Sequence, residues 1–157
     1  MEVQGGKHLT FSLGKEDYGI PILKVREIIG MMEITHVPKT PLFIKGVINL
    51  RGKIIPVMDL RAKFGMETQE YTERTCIIVV EINSLVGIIV DTVSEVLNIQ
   101  ENEIDLEYGT SVDGDFLTGM GKVKNKVIML LNIDKIVNCE EMINLLKGEK
   151  YELAKQT

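Results

Sequence analysis

Catalysis or metal binding in this chain would have to be built from few parts. The histidines are His8 and His36, and the cysteines are Cys76 and Cys139. None of them stands at a metal-ligand spacing or in a nucleophile–base motif. The cysteines lie near apolar residues and read as buried reduced thiols, not as a disulfide or a redox pair. The glycine-rich Gly119-Met120-Gly121-Lys122 lacks the spacing of a phosphate loop. These residues predict no enzyme, no metal and no cofactor. Arg51, in Asn49-Leu50-Arg51-Gly52, offers recognition instead. A guanidinium on a hairpin tip can pair with a partner's carboxylate or carbonyl. On residue type alone, the plainer reading is a solvated turn residue.

The elements that position Arg51 occur twice. Phe43 to Phe64 reads as a strand, a basic turn, a second strand and a short helix, and the plan returns 73 positions later from Phe116 to Val137. Gly46 lies over Gly119, Lys53 over Lys126 and Ile55 over Ile128, with no gap. A second block repeats at an offset of 68, with Gly19 over Gly87, Ile20 over Ile88, Val25 over Val93 and Glu27 over Glu95. Five residues are therefore inserted between Asn98 and Asp115, in a surface loop. Internal repetition of this kind fixes the architecture before any single motif does.

Around the repeats, His8 to Leu13 and Tyr18 to Ile22 predict a hairpin. Ile22 to Ile29 fits a helical stripe or a strand, and Pro21 favours a short helix or irregular turn. Glu33 to Val37 predicts a strand. Pro56 marks its own strand as an edge or bulge. Asp59 is placed to cap a helical turn over Leu60 to Phe64. The polar stretch Glu67 to Arg74 separates the halves, and strands follow over Thr75 to Glu81 and Leu85 to Val90. Asn138 to Leu153 has a helical apolar spacing. Each half has about five short strands and a thin core of its own, so the halves must pack together. The expectation is a mainly β protein of two five-stranded barrels related by a pseudo-two-fold axis. The subdomains are expected at about 15–70 and 75–137, with the N-terminal strand and a C-terminal helix packing across them.

Composition narrows the partners. The net charge is -5, aromatics make up 5% and tryptophan is absent. That combination argues against nucleic acid, which calls for a basic groove with stacking platforms. The longest apolar runs fall short of the roughly 20 residues of a membrane-spanning helix. The N-terminus has no signal-peptide pattern. A cytoplasmic protein without direct membrane insertion is expected, and any membrane association would come through a partner.

Tyr18-Gly19-Ile20, Ile22 to Ile28 and the string PLFIKGVINLRGKIIPVMDLR from Pro41 to Arg61 together resemble the CheW family, the coupling proteins of bacterial chemotaxis. Asp91 to Val96 and Phe116 to Gly119 resemble the second half of the same family. The resemblance runs from about Leu9 to Leu146. It implies SH3-like barrels, no enzymatic activity, and a bridge between the histidine kinase CheA and the cytoplasmic tips of transmembrane chemoreceptors. It places the protein at membrane-associated receptor arrays. Val25, Glu27, Gly46 and Arg51 match partner-binding positions of the family, and Val96 is a further candidate in the second half. For Val25 and Val96 a core role stands equally open, and for Gly46 a backbone role. Ile28 and Val47 are weaker candidates for an apolar floor, and Tyr108 for a contact in the inserted loop. Asp59 and Arg61 match a DLR signature and read as structural.

Overall fold

The structure, a computed structural model, describes residues 5–106, 116–138, 142 and 144. The expected helix over Asn138 to Leu153 and the candidate Tyr108 lie largely or wholly outside the described residues. Eleven strands and two short α-helices make up the described fold. In order they are β1 (Gly6–Leu13), β2 (Glu16–Pro21), β3 (Val25–Gly30), β4 (Ile44–Leu50), β5 (Lys53–Asp59), α1 (Leu60–Lys63), β6 (Cys76–Ile82), β7 (Ser84–Val90), β8 (Thr92–Ile99), β9 (Ile104–Asp105), β10 (Leu117–Val123), β11 (Lys126–Leu131) and α2 (Ile133–Ile136). The mainly β architecture expected from the sequence is what the chain adopts.

Two sheets form, with strand orders β8-β1-β2-β11-β10-β9 and β3-β6-β7-β5-β4. We call them sheet A and sheet B. The sequence offset of 68 equates β2 with β7 and β3 with β8. The offset of 73 equates β4 with β10 and β5 with β11. The two orders are then the same order. Hairpin β1–β2 belongs to the first repeat, yet it completes the sheet holding β10 and β11. Hairpin β6–β7 completes the sheet holding β4 and β5. The repeats have exchanged their first hairpins, so the sheets run across the expected division at 15–70 and 75–137. A local alternation of apolar residues predicts the strands but not which half each hairpin joins.

The equivalence extends to register. Leu130 faces Gly19 in a parallel pairing, and Val57 faces Gly87 in its counterpart. A Cβ on Gly19 would lie 3.2 Å from Ile128 and Leu130, and one on Gly87 would lie 2.8 Å from Ile77. Glycine is therefore required by close approach at the same place in each sheet. Both long hairpins carry a register shift at the same site, between Ile44 and Gly46 and between Leu117 and Gly119. The backbone N–H of Asp59 donates to Phe43 at 2.7 Å, and that of Asn132 donates to Phe116 at the same distance.

Several local expectations change. Ile22–Lys24 is a single 3-10 turn, and Val25–Gly30 is strand, not helix. Pairing with β6 satisfies the backbone there and suits the β-branched Val25, Ile28 and Ile29. Glu33 to Val37 contributes only an isolated bridge, Thr35 to Val47. Its repeat counterpart is the two-residue β9, where Asp105 faces Met120. Sheet A thus has six strands and not five. Pro56 lies in an interior strand, neither an edge nor a bulge. It faces Val47, whose N–H and C=O turn the other way to bond Thr35, so the missing N–H costs no bond to β4.

Three apolar clusters fill the fold. Ile48, Ile55, Val57, Ile77, Val79 and Ile89 pack within sheet B. Ile99, Val123, Ile128 and Leu130 pack within sheet A. The largest cluster draws on both sheets, with Leu9, Phe11 and Ile20 meeting Met58, Ile78 and Ile88. Each sheet curls around a thin core, and the shared core binds the pair. Burial on this scale contributes about 25 cal/mol per Å² of apolar surface and is the main force joining the halves.

Candidate functional site

Arg51 and Gly52 are the two central residues of the β4–β5 turn, with φ of 52° and 86°. Two consecutive left-handed residues make the tight turn whose twist matches the flanking strands. The backbone N–H of Gly52 donates to Asn49 Oδ1 at 2.8 Å, which stiffens the tip. Arg51 adopts the left-handed conformation that this hairpin turn requires, as does its repeat counterpart Lys124. Its guanidinium donates to the Glu27 carboxylate on β3. The pair joins the two outer strands of sheet B at one end. The arginine side chain stays 69% exposed while Glu27 is 30% exposed. Glu27 therefore anchors one edge of a guanidinium that still faces solvent.

The other candidates divide into contact-capable and buried residues. Ile28, next to Glu27, is 43% exposed. Val25 turns inward and packs against the shared core, which favours its structural role. Gly46 is buried, with φ +141°, and a Cβ there would stand 2.0 Å from the Thr35 carbonyl oxygen. Close backbone approach is enough to require glycine there. Val47 is half-buried and bonds Thr35 through its backbone. Val96 lies in sheet A on β8, facing Leu9, and is 48% exposed. The structure thus brings Glu27 and Arg51 into contact, while Ile28, the next residue of β3, turns to the opposite face, and Val96 holds the equivalent of Ile28 on the other sheet.

Sequence reasoning missed two exposed apolar residues. Ile54 and Val127 are 61% and 56% exposed, and they are repeat counterparts. Ile54 follows the Arg51 turn directly and faces Asn49 across the hairpin. The signal was present: Ile55 points into the core, so alternation sends Ile54 outward. The exposed apolar residue thus recurs on the outer face of both repeats. The Arg51 hairpin therefore presents a solvent-facing cation and, on its returning strand, the exposed apolar Ile54, a composition suited to protein binding.

A second polar assembly lies elsewhere. Arg61, 7% exposed, donates Nε and Nη2 to the two carboxylate oxygens of Asp91 at 2.7 and 2.6 Å, and Nη1 to the Glu67 carbonyl at 2.9 Å. Asp91 also accepts from the Gly14 backbone N–H at 2.7 Å. Asp59 caps α1 by accepting from the Arg61 N–H, as expected, and its other oxygen accepts from the Tyr71 hydroxyl. The guanidinium hydrogen bond, with help from Gly14, holds the Asp91 carboxyl below its ordinary range against the opposing effect of burial. Burial first, then the Asp59 contact, pushes the Tyr71 hydroxyl up. A cleft of ≈ 210 Å³ beside Tyr71, Arg74 and Thr92 falls short of the roughly 300–1,000 Å³ of small-molecule sites.

Among the described residues no group of three His, Cys, Asp or Glu is placed to hold a metal ion. His8 is buried and its Nδ1 contacts the Gly6 carbonyl, Cys76 is free and half-buried, and Cys139 lies outside the described residues. No helix among the described residues is long and apolar enough to cross a membrane.

Comparison with known proteins adds to this geometry. The CheW-like domain matches residues 7–141, spanning both sheets. The chain is 43% identical to the chemotaxis protein CheW of Klebsiella aerogenes over 144 residues, covering 90% of this chain and 87% of that one. It is 35% identical to CheW of Thermotoga maritima, covering 82% and 85%. Protein PilI of Pseudomonas aeruginosa is 31% identical over 104 residues, covering 66% of this chain and 57% of PilI. The crystal structure of the scaffolding protein TtCheW from Thermoanaerobacter tengcongensis superposes with a TM-score of 0.75 at 40% identity, covering 82% of this chain and 90% of that one.

Proposed function

The chain belongs to the CheW-like domain family, and on that premise we propose that it is a non-enzymatic coupling scaffold of chemotaxis. It links the kinase CheA to the cytoplasmic tips of transmembrane chemoreceptors, so that receptor state controls autophosphorylation. The observation that carries the receptor-side reading is the Glu27–Arg51 pair at the exposed end of sheet B, with Ile54 exposed on the strand that leaves the Arg51 turn. A solvent-facing cation steers a partner and sets its register, and exposed apolar residues supply contact area. The kinase docks elsewhere, on the second sheet, where Val96 and Val127 hold the equivalent positions. Recruitment to a membrane array follows from the receptor contact and needs no membrane segment in this chain.

The test is titration of the chain with a receptor-tip fragment and, separately, with the kinase regulatory domain. Arg51→Glu is expected to weaken tip binding by about tenfold and to leave kinase binding and thermal unfolding unchanged. Wild-type tip affinity in the variant would remove Arg51 from the site. Unfolding of the variant would make the residue structural. The relation to PilI favours a second reading, a scaffold of the same build serving another chemosensory pathway. Binding to that pathway's kinase in preference to CheA would select it.

A further inference from the structure

The exchange of hairpins between the sheets creates two crossings, and only one is locked. The chain passes from sheet B to sheet A at Asp91, between β7 and β8. At that point Asp91 binds Arg61, on the helix that follows β5 of sheet B, and Gly14, in the β1–β2 turn of sheet A. One carboxylate therefore ties together both sheets and the strand passing between them. The bond to Arg61 is bidentate and the guanidinium is 9% exposed, which fixes angle as well as distance. The other passage, from β2 to β3, runs through Ile22–Lys24. There Leu23 is 94% exposed, and Lys24 reaches Asp134 in an ion pair with both side chains more than a third exposed.

We infer that Asp91, with Arg61, is a positioning element for coupling: it sets the orientation of sheet A relative to sheet B and so the spacing of the surfaces the two partners use. This rests on the coupling reading for its functional half only. A scaffold with one partner on each sheet transmits a change only if the sheets hold a defined relative orientation. The shared apolar core supplies cohesion, but apolar contact is non-directional. The forked Arg61–Asp91 contact supplies direction, and it is less exposed than the Lys24–Asp134 pair at the other crossing.

The experiment has two arms. In the first, spin labels are placed at Ile54→Cys and Val127→Cys, equivalent sites on the two sheets, in a chain with Cys76→Ser and Cys139→Ser. The distance distribution between them is narrow in the parent, broadens with Asp91→Asn and stays narrow with Lys24→Ala. In the second arm, Asp91→Asn without labels binds receptor tip and kinase separately as the wild type does, but loses receptor control of the kinase by about tenfold. Arg61→Lys, which keeps the charge and loses the fork, replaces Asp91→Asn if that variant does not fold. A merely structural residue would change stability without separating binding from control. An unchanged distance distribution overturns the inference, as does full receptor control in a variant whose distribution has broadened. A wild type that confers no receptor control overturns the coupling reading, and the distance arm then still decides whether Asp91 sets the sheet geometry.

Discussion

The two repeats share strand order, register and even individual hydrogen-bond lengths, yet their crossings are chemically opposite. In one, a buried cation on the short helix, Arg61, meets a partly exposed anion on the crossing, Asp91. In the other, the helix position equivalent to Arg61 is an anion, Asp134, and the crossing supplies a cation, Lys24, at 3.0 Å in solvent. The same contrast holds at the turns. Arg51 reaches across to Glu27, while its counterpart Lys124 occupies the same left-handed conformation with φ of 51°. Backbone pairing and apolar packing tolerate one solution in both halves because both halves must curl around a core. Charge placement has no such constraint and is free to diverge where each half meets a different environment.

Breaking the comparison at its glycines should have the largest effect. Gly46 and Gly119 are counterparts, but a Cβ on Gly46 meets the Thr35 carbonyl at 2.0 Å with φ +141°, while one on Gly119 meets an Ile104 methyl at 2.9 Å and the Asp105 carbonyl at 3.0 Å. Gly46→Ala is expected to cost above about 4 kcal/mol and Gly119→Ala about 1–3 kcal/mol, read by denaturant unfolding. Equal losses would mean that the shared fold, not the local approach, sets the requirement.

The crossings come next. Removing the Asp91 carboxylate leaves the buried Arg61 guanidinium unmatched, so Asp91→Asn should cost about 3 kcal/mol and lower Tm by about 6–12 °C. Lys24→Ala should cost at most about 0.5 kcal/mol, because an exposed pair is screened. Similar costs at the two sites would erase the asymmetry drawn here.

Acid sharpens the same contrast. The Arg61 hydrogen bond holds the folded-state Asp91 carboxyl below its ordinary 3.8. The unfolded chain takes up this proton first as pH falls, so the pair's contribution is full above about pH 4 and disappears as pH drops through the lowered folded value. Wild-type stability should therefore fall more steeply than that of Asp91→Asn in this range, as measured by unfolding at a series of acidic pH values. Parallel curves would assign the acid sensitivity to other carboxylates.

Much of the fold was legible because the chain states it twice. Phe43 to Phe64 and Phe116 to Val137 align without a gap, and each element in one is the same element in the other. Asp59 as a cap followed from residue type and place alone. The exchange of hairpins was not legible, because Gly19 and Gly87 show that a close approach occurs without naming the strand that approaches. Val25 to Ile29 was ambiguous because a β-branched run on a three-to-four spacing satisfies both periods, and only the partner strand β6 decides it. At the candidate site, Glu27 and Arg51 were both singled out, but their pairing depends on the curl of sheet B. Gly46 was found through its repeat and proved to be buried. Asp91 gave no signal as the partner of Arg61, since the two stand 30 positions apart with no periodicity to link them.

The most direct test of the account is kinase autophosphorylation with receptor-containing membranes, measured without the protein, with the wild type and with Arg51→Glu. The account predicts that the wild type makes autophosphorylation depend on receptor state and that the variant, folded and still bound to the kinase, does not. A wild type that leaves kinase activity unchanged and binds neither partner would contradict it.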